Sequence, residues 1–181
     1  MSRESERHIR IGVSACLVGQ AVRYDGRDKR HAVLVEDLGQ EFELVPVCPE
    51  VAIGLGVPRP PIRLEGEPRA PRAVGVDNPA LDVTDALLEY GRRMAQELGG
   101  IDGYVLKSKS PSCGLLSTRL FDRKGREIAR GAGLYARALR EALPGLPMVE
   151  EDSLDEPVQR RAFIAQVLEY HRCRTERTRL E

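Results

Sequence analysis

Three cysteines lie in short segments whose residue types suit metal chemistry. Cys16, Cys48 and Cys113 each stand in a stretch rich in Gly, Pro or Ser that follows an apolar run. Such runs predict buried strands, so we expect the three thiols at strand ends. Thiolates are soft ligands, and three of them are one fewer than a closed tetrahedral site contains. The pattern therefore indicates a metal centre with one open position for chemistry.

The spacing of these cysteines leaves the nature of the centre open. Their long separations match no zinc-finger motif, so zinc, an iron–sulfur cluster and unligated thiols all fit the spacing. Buried free cysteine is common, but a core cysteine needs no special loop. The fourth cysteine, Cys173, lies in a charged C-terminal segment, where we expect a surface or packing thiol rather than a fourth ligand.

Alternating strands and helices are predicted to position these residues. The sequence predicts an α/β fold, a single domain with a mostly parallel open sheet and flanking helices in Rossmann-like or flavodoxin-like layers. Ligands bind at the carboxyl ends of the strands in such sheets. The expected strands are residues 9–13, 42–47, 104–107 and 147–150, with a hairpin at 118–121 and 125–128. The expected helices are residues 28–38, 80–98, 134–143 and 157–170. Residues 54–79, dense in Gly and Pro, are expected to be irregular, with a short strand near 72–76.

The length and composition limit the class of protein. A chain of 181 residues is expected to form one domain, which we place at residues 9–172, between a polar tail at 1–8 and a charged tail at 173–181. Lys and Arg together number 28, as do Asp and Glu, so no overall field draws the chain to nucleic acid or to an anionic membrane. Aromatic residues make up only 4% and Trp is absent, which disfavours base stacking. No apolar run could span a bilayer and the N-terminus lacks a secretion signal, so we expect a cytoplasmic location.

Five motifs make the sequence resemble a known family. They are residues 14–17 (SACL), 23–26 (RYDG), 46–50 (PVCPE), 54–64 (GLGVPRPPIRL) and 106–114 (LKSKSPSCG). With these motifs in this order, residues 9–150 resemble the thiouracil desulfidase family, long catalogued as a domain of unknown function. The motif at 54–64 resembles the form found in a branch whose members often carry a further C-terminal domain, and we expect this protein to lack that domain.

The resemblance implies a cofactor and a reaction. It implies a [4Fe-4S] cluster held by three cysteines, which map onto Cys16, Cys48 and Cys113, and an open iron that takes the sulfur of a thiolated base. It also implies that Glu50 and Ser110 assist the chemistry. The expected partner is a small-molecule thiolated base, and the expected reaction is non-redox, hydrolytic removal of sulfur from a thiouracil-like pyrimidine with release of sulfide.

The residues themselves are consistent with these roles. A C=S sulfur is soft and binds iron readily, and coordination opens the carbon to attack by water. Glu50 follows Cys48 by two residues, so its carboxylate could take a proton from that water. Ser110 could donate a hydrogen bond to a ring atom or to the departing sulfur. The ordinary alternatives are a solvated or capping carboxylate for Glu50 and turn chemistry for the serine.

Three further residues are expected to contact the substrate. Asp25 and Arg59 stand in Gly- or Pro-containing loops, and Ser112 precedes Cys113. An exposed, solvated Arg59 and a turn-forming Ser112 are the alternatives.

The leading alternative function is a non-enzymatic structural or sensing module. In that case the three cysteines, with Cys173 or Glu50, would bind zinc or a cluster. A metal-free cysteine hydrolase is less favoured, because no histidine neighbours any of the three cysteines in the sequence.

Overall fold

A computed structural model, which describes residues 9–178, places the predicted parallel strands in one sheet. Its strands, numbered in chain order, are β1 Arg10–Ser14, β2 Glu43–Val47, β5 Gly103–Leu106 and β8 Met148–Glu150. They lie in the order β2-β1-β5-β8, and each neighbouring pair is parallel. Pro46 is accommodated because β2 is an edge strand, where a missing N–H costs little. The predicted α/β fold with a mostly parallel sheet is confirmed.

A second, mixed sheet lies beside the first. It contains β3 Ile62–Glu67, β4 Ala70–Gly75, β6 Thr118–Phe121 and β7 Glu127–Gly131, in the order β4-β3-β6-β7. The hairpin of β6 and β7 is confirmed. The short strand predicted near 72–76 is also present, as β4, but the rest of the segment 54–79 is not irregular throughout, because β3 pairs with β4 in a second hairpin. Ile62 and Leu64 face the core and alternate with Arg63 and Glu65, and neighbouring prolines and glycines obscure this period of two.

Helices connect the strands. They are α1 Gly39–Glu41, preceded by a π-helical segment Leu34–Leu38, then α2 Pro49–Ala52, α3 Thr84–Glu97, α4 Leu134–Ala142 and α5 Pro157–Thr178. The end predicted for the first helix at residue 38 is wrong, because the φ of −67° at the next residue, Gly39, is helical and the helix continues through it. Helix α5 continues past the predicted end at Tyr170, so the part of the proposed charged tail up to Thr178 is helical. The proposed tail 1–8 and residues 179–181 lie outside the described residues.

The core packs the first sheet against α3, α4 and α5. Tyr104 of β5 and Tyr135 of α4 are fully buried, and their hydroxyls lie 3.1 Å apart. Gly12 of β1 is required beside them, since a Cβ there would lie 2.5 Å from the Tyr104 ring. Phe163 and Val167 of α5 complete the cover over β1. Within residues 9–178, no helix has the length and apolarity needed to cross a membrane.

Candidate metal centre

The three cysteines follow three adjacent strands of the first sheet. Cys16 lies in a 3₁₀ turn, Ala15–Val18, directly after β1. Cys48 follows β2 and is the N-cap residue of α2, where Pro49 fills the first helical position. Cys113 lies in the loop between β5 and β6. Because β2, β1 and β5 are neighbours and parallel, their carboxyl ends bring these three segments to the same edge.

The three thiols line a single cavity at that edge. Its volume is about 380 Å³, and its wall includes Cys16, Cys48 and Cys113 together with Glu50 and Arg59. Cys16 and Cys113 are buried, Cys48 is half-buried, and none of the three forms a disulfide. The structure therefore brings the three cysteines to one cavity at the carboxyl edge of the sheet, and their role as metal ligands stays a prediction.

Burial keeps the thiols protonated in the protein without metal. It raises the pKa of Cys16 to about 11, although the nearby cations Arg23 and Lys107 oppose the shift. It raises the pKa of Cys113 to about 12 and also raises that of Cys48. A metal or cluster that binds here must displace these protons, because the thiolate is the form that ligates metal.

The donor set of the cavity suits an iron–sulfur cluster. Three thiols, with no histidine among them, are the soft donors that iron–sulfur clusters use. Among the described residues, no group of three or more His, Cys, Asp or Glu side chains is arranged to hold one metal ion.

Glu50 is held on both carboxylate oxygens. Its Oε2 accepts the Arg59 Nε–H at 2.8 Å, and its Oε1 accepts the Ser112 hydroxyl at 2.6 Å. Its backbone is fixed in the first turn of α2, one residue after Pro49. The carboxylate is buried and lines the cavity, so the alternative of a solvated surface acid does not apply.

Ser110 and Ser112 lie on the third cysteine loop. The Ser110 Oγ accepts the N–H groups of Cys113 at 3.0 Å and of Ser112 at 3.3 Å, which is a serine turn. The two hydroxyls lie 3.1 Å apart. Because the Ser112 O–H is directed at Glu50, the Ser110 O–H can donate to Ser112, and the two serines form a chain that ends on Glu50. Both serines line the cavity, and Ser110 also forms the turn that was the ordinary alternative from the sequence.

Comparison with known proteins identifies the family. A family model described as 2-thiouracil desulfurase matches residues 11–151, which is most of the chain. The chain belongs to the 2-thiouracil desulfurase family. The uncharacterized protein YbbK of Bacillus subtilis (strain 168) is 30% identical over 155 residues, which are 81% of this chain and 98% of that protein. The solved structure of the [4Fe-4S]-dependent thiouracil desulfidase TudS is 37% identical, covers 87% of this chain and 99% of its own, and superposes with a TM-score of 0.67.

The remaining predicted residues occupy different places in this desulfurase-family chain. Arg59 is buried in the cavity wall, not solvated. The Asp25 carboxylate accepts the Arg27 N–H at 3.1 Å and lies 3.6 Å from the Arg23 Nε, and the cavity wall includes its neighbour Tyr24 but not Asp25 itself. Cys173 is exposed on α5, 3.4 Å from a Glu169 oxygen, and does not line the cavity.

Two acidic residues at the end of β8 hold the third cysteine loop and were not foreseen. Glu150 Oε1 accepts the N–H groups of Leu115, Leu116 and Ser117 at 2.7–3.1 Å. Burial alone would raise the pKa of Glu150, but these bonds outweigh it and the pKa is lowered. Glu151 bonds to the beginning of the same loop. Consecutive acids after an apolar strand are the sequence signal that could have indicated this anchor.

The N-terminus of α4 holds the same loop from the other side. Leu134 N–H donates to Pro111 O at 3.1 Å, and Ala136 N–H donates to Ser112 O at 3.1 Å. Gly133 permits this approach, since a Cβ there would lie 2.5 Å from the Ser112 carbonyl. The amides at this helix end are therefore used to fix the Cys113 loop.

Proposed function

We propose that this protein removes the sulfur atom from a thiolated pyrimidine, a thiouracil-like base, and releases it as sulfide. The observation that carries the proposal is the convergence of three thiols on one cavity in a chain of the 2-thiouracil desulfurase family. The similar solved protein is described as [4Fe-4S]-dependent. We infer the same cofactor here, with Cys16, Cys48 and Cys113 as its three protein ligands.

The reaction needs no net electron transfer. The oxygen of water replaces sulfur on the ring carbon, the sulfur leaves as hydrosulfide with one of the two protons of the water, and the other proton is released to the solvent. When bound, a cluster with three protein thiolates supplies an iron that is open to the soft thiocarbonyl sulfur and polarises the C=S bond. The side chains of the cavity would perform the other tasks, which are to admit the thiolated pyrimidine, orient it and move the protons.

Glu50 is the proposed base for the attacking water. It is the carboxylate that lines the cavity beside the thiols, and Arg59 and Ser112 fix its two oxygens. Each carboxylate oxygen accepts more than one hydrogen bond, so lone pairs remain for the water. A positioned base of this kind contributes roughly 10²–10⁴-fold to a rate.

The two serines are proposed to complete the proton path. Ser110 and Ser112 line the cavity, and their hydroxyls form a hydrogen-bonded chain to Glu50. Rotation of the Ser110 hydroxyl would let it donate a hydrogen bond to the departing sulfur or to a ring atom. Ser112 is proposed to contact the thiolated pyrimidine. We place Asp25 near the entrance, next to Tyr24 of the cavity wall, as a contact for the substrate.

A cytoplasmic location and a small-molecule partner complete the proposal. All four cysteines are free thiols, which supports a reducing compartment, where thiols are the persistent form.

Anaerobic reconstitution followed by a turnover assay tests the proposal. Reconstituted protein should be brown, contain about four irons and four sulfides per chain, and convert 2-thiouracil to uracil with one sulfide released per uracil. Cys48→Ser is the matched control, and it should not acquire the brown colour or the iron and should release no sulfide. A colourless protein that binds stoichiometric zinc and releases no sulfide would instead favour the metal-binding module.

A further inference from the structure

We propose that Arg59 is a positioning residue that joins the three cysteine segments and fixes Glu50 for proton transfer. The inference rests on the proposed function for the role of Glu50, while the joining role stands on the contacts alone. We define the cysteine segments as residues 16–24, 48–56 and 110–114.

Arg59 bonds directly to two of the three segments. Its Nη1 donates to Val22 O of the first segment at 2.9 Å and to Gly56 O of the second at 2.9 Å. Its Nε donates to the Glu50 carboxylate, also in the second segment. Its backbone N–H donates to Tyr24 O at 2.9 Å, which is a second bond to the first segment.

The third segment is reached through Glu50. The Ser112 hydroxyl, one residue before Cys113, donates to the oxygen of Glu50 that Arg59 does not occupy. The two residues are 62 positions apart in the chain, so the bond is a tertiary tie and not a local turn. Arg59, Glu50 and Ser112 therefore connect the loops that carry all three cysteines.

The chemistry of arginine suits this role better than a contact with substrate. A guanidinium presents five donors in a fixed plane, and here three of them bond to protein oxygens. The Arg59 side chain is only 4% exposed and that of Glu50 12%. An ion pair that is buried to this depth and held by several hydrogen bonds is rigid, which is what a general base requires if it is to remain aimed at one water.

A double-mutant cycle tests whether Arg59 acts through Glu50. We expect Arg59→Met to lower kcat by about tenfold or more with KM changed by less than about twofold, because alignment is lost but substrate binding is not. In the Glu50→Gln background, Arg59→Met should lower kcat no further, since the effects of coupled residues are not additive. A large rise in KM with kcat preserved, or an equal loss of kcat in both backgrounds, would overturn the proposal.

Amide hydrogen exchange on the cluster-free protein tests the joining role without any assay of activity. Amides of residues 16–24 and 110–114 should exchange faster in Arg59→Met than in the wild type. Arg59→Lys, which keeps the charge but not the planar donors, should fall between them and replaces the Met variant if that variant does not fold. Arg72→Met is the control, since Arg72 is exposed and pairs with Asp82 outside the cavity wall.

Sulfide release and amide exchange distinguish a failure of the proposed function from a failure of the joining role. A wild-type protein that releases no sulfide would refute the proposed function, and faster exchange in the Arg59 variants would still establish the joining role. Unchanged exchange in both Arg59 variants would refute the joining role, whatever the wild-type activity.

Discussion

The carboxylate of Glu151 accepts the backbone N–H of Ser108 at 2.5 Å, across 43 residues of sequence. Its other oxygen accepts the Ser108 hydroxyl at 2.9 Å and forms an ion pair with Lys107. The two charged side chains are only 5% and 16% exposed. The end of β8 thus fixes the beginning of the loop that carries Ser110, Ser112 and Cys113.

Glu151→Gln should destabilise the protein markedly. Removing one partner of a buried ion pair leaves the other charge uncompensated, and we expect a loss of about 3 kcal/mol in the free energy of unfolding. Denaturant unfolding of the cluster-free protein measures this. Glu43→Gln, which breaks an exposed pair with Arg10, is the control and should change the free energy by less than about 1 kcal/mol. A Glu151 effect as small as that of the control would contradict the anchoring role.

Ser112→Ala should slow turnover while the cluster is retained. The change removes the donor to Glu50 Oε1, so the carboxylate loses one of the two hydrogen bonds that fix its orientation. A bond to a charged group contributes about 1.5–3 kcal/mol, and we expect a fall in kcat of about tenfold. Sulfide release measures the effect, with Ser153→Ala in a different turn as the control. Unchanged kcat would mean that Arg59 alone is sufficient to orient Glu50.

Glu50→Gln separates binding from catalysis. The amide keeps the size and most of the hydrogen bonding but cannot take a proton from water, so iron and sulfide content should match the wild type. Turnover should fall by roughly a hundredfold or more. Wild-type turnover would remove Glu50 from the mechanism, and loss of iron would make Glu50 a ligand instead.

The raised thiol pKa values predict a loss of stability in alkali for the cluster-free protein. Cys16 and Cys113 have folded-state pKa values of about 11 and 12, against an ordinary value of 9.0. Above pH 9 the unfolded chain releases these protons and the folded protein retains them, so stability is full below pH 9 and falls toward pH 11–12. From pH 8 to pH 10 each of these two thiols should lower the free energy of unfolding by about 1.4 kcal/mol.

Denaturant unfolding at the two pH values measures this loss. Cys113→Ala should show a smaller loss than the wild type, because one of the buried thiols with a raised pKa is gone. Equal or greater stability of the wild type at pH 10 would contradict the burial of the thiols.

The sequence was sufficient to locate the cysteines but not the contacts that hold them. Apolar runs before Cys16, Cys48 and Cys113 indicate strands, and parallel strands bring their ends to one edge, so a common site could be predicted. The pairing of Glu50 with Ser112 could not, because no local pattern joins residues so far apart. The same holds for Glu151 and Ser108.

Local signals also misled the prediction where tertiary structure decides. Proline and glycine around β3 and β4 suggested an irregular segment, but the two strands pair with each other, and β3 also pairs with β6. Gly39 is a common helix stop, yet it lies within a helix here. In both cases packing outweighs the intrinsic preference of single residues.

The iron and acid-labile sulfide content of four cysteine variants tests the central claim most directly. After identical anaerobic reconstitution, Cys173→Ser should match the wild type at about four irons and four sulfides per chain, because its thiol is exposed outside the cavity. Cys16→Ser, Cys48→Ser and Cys113→Ser should each lose most of both. Loss of iron in Cys173→Ser, or full iron in any of the other three, would contradict a cluster held by these three thiols.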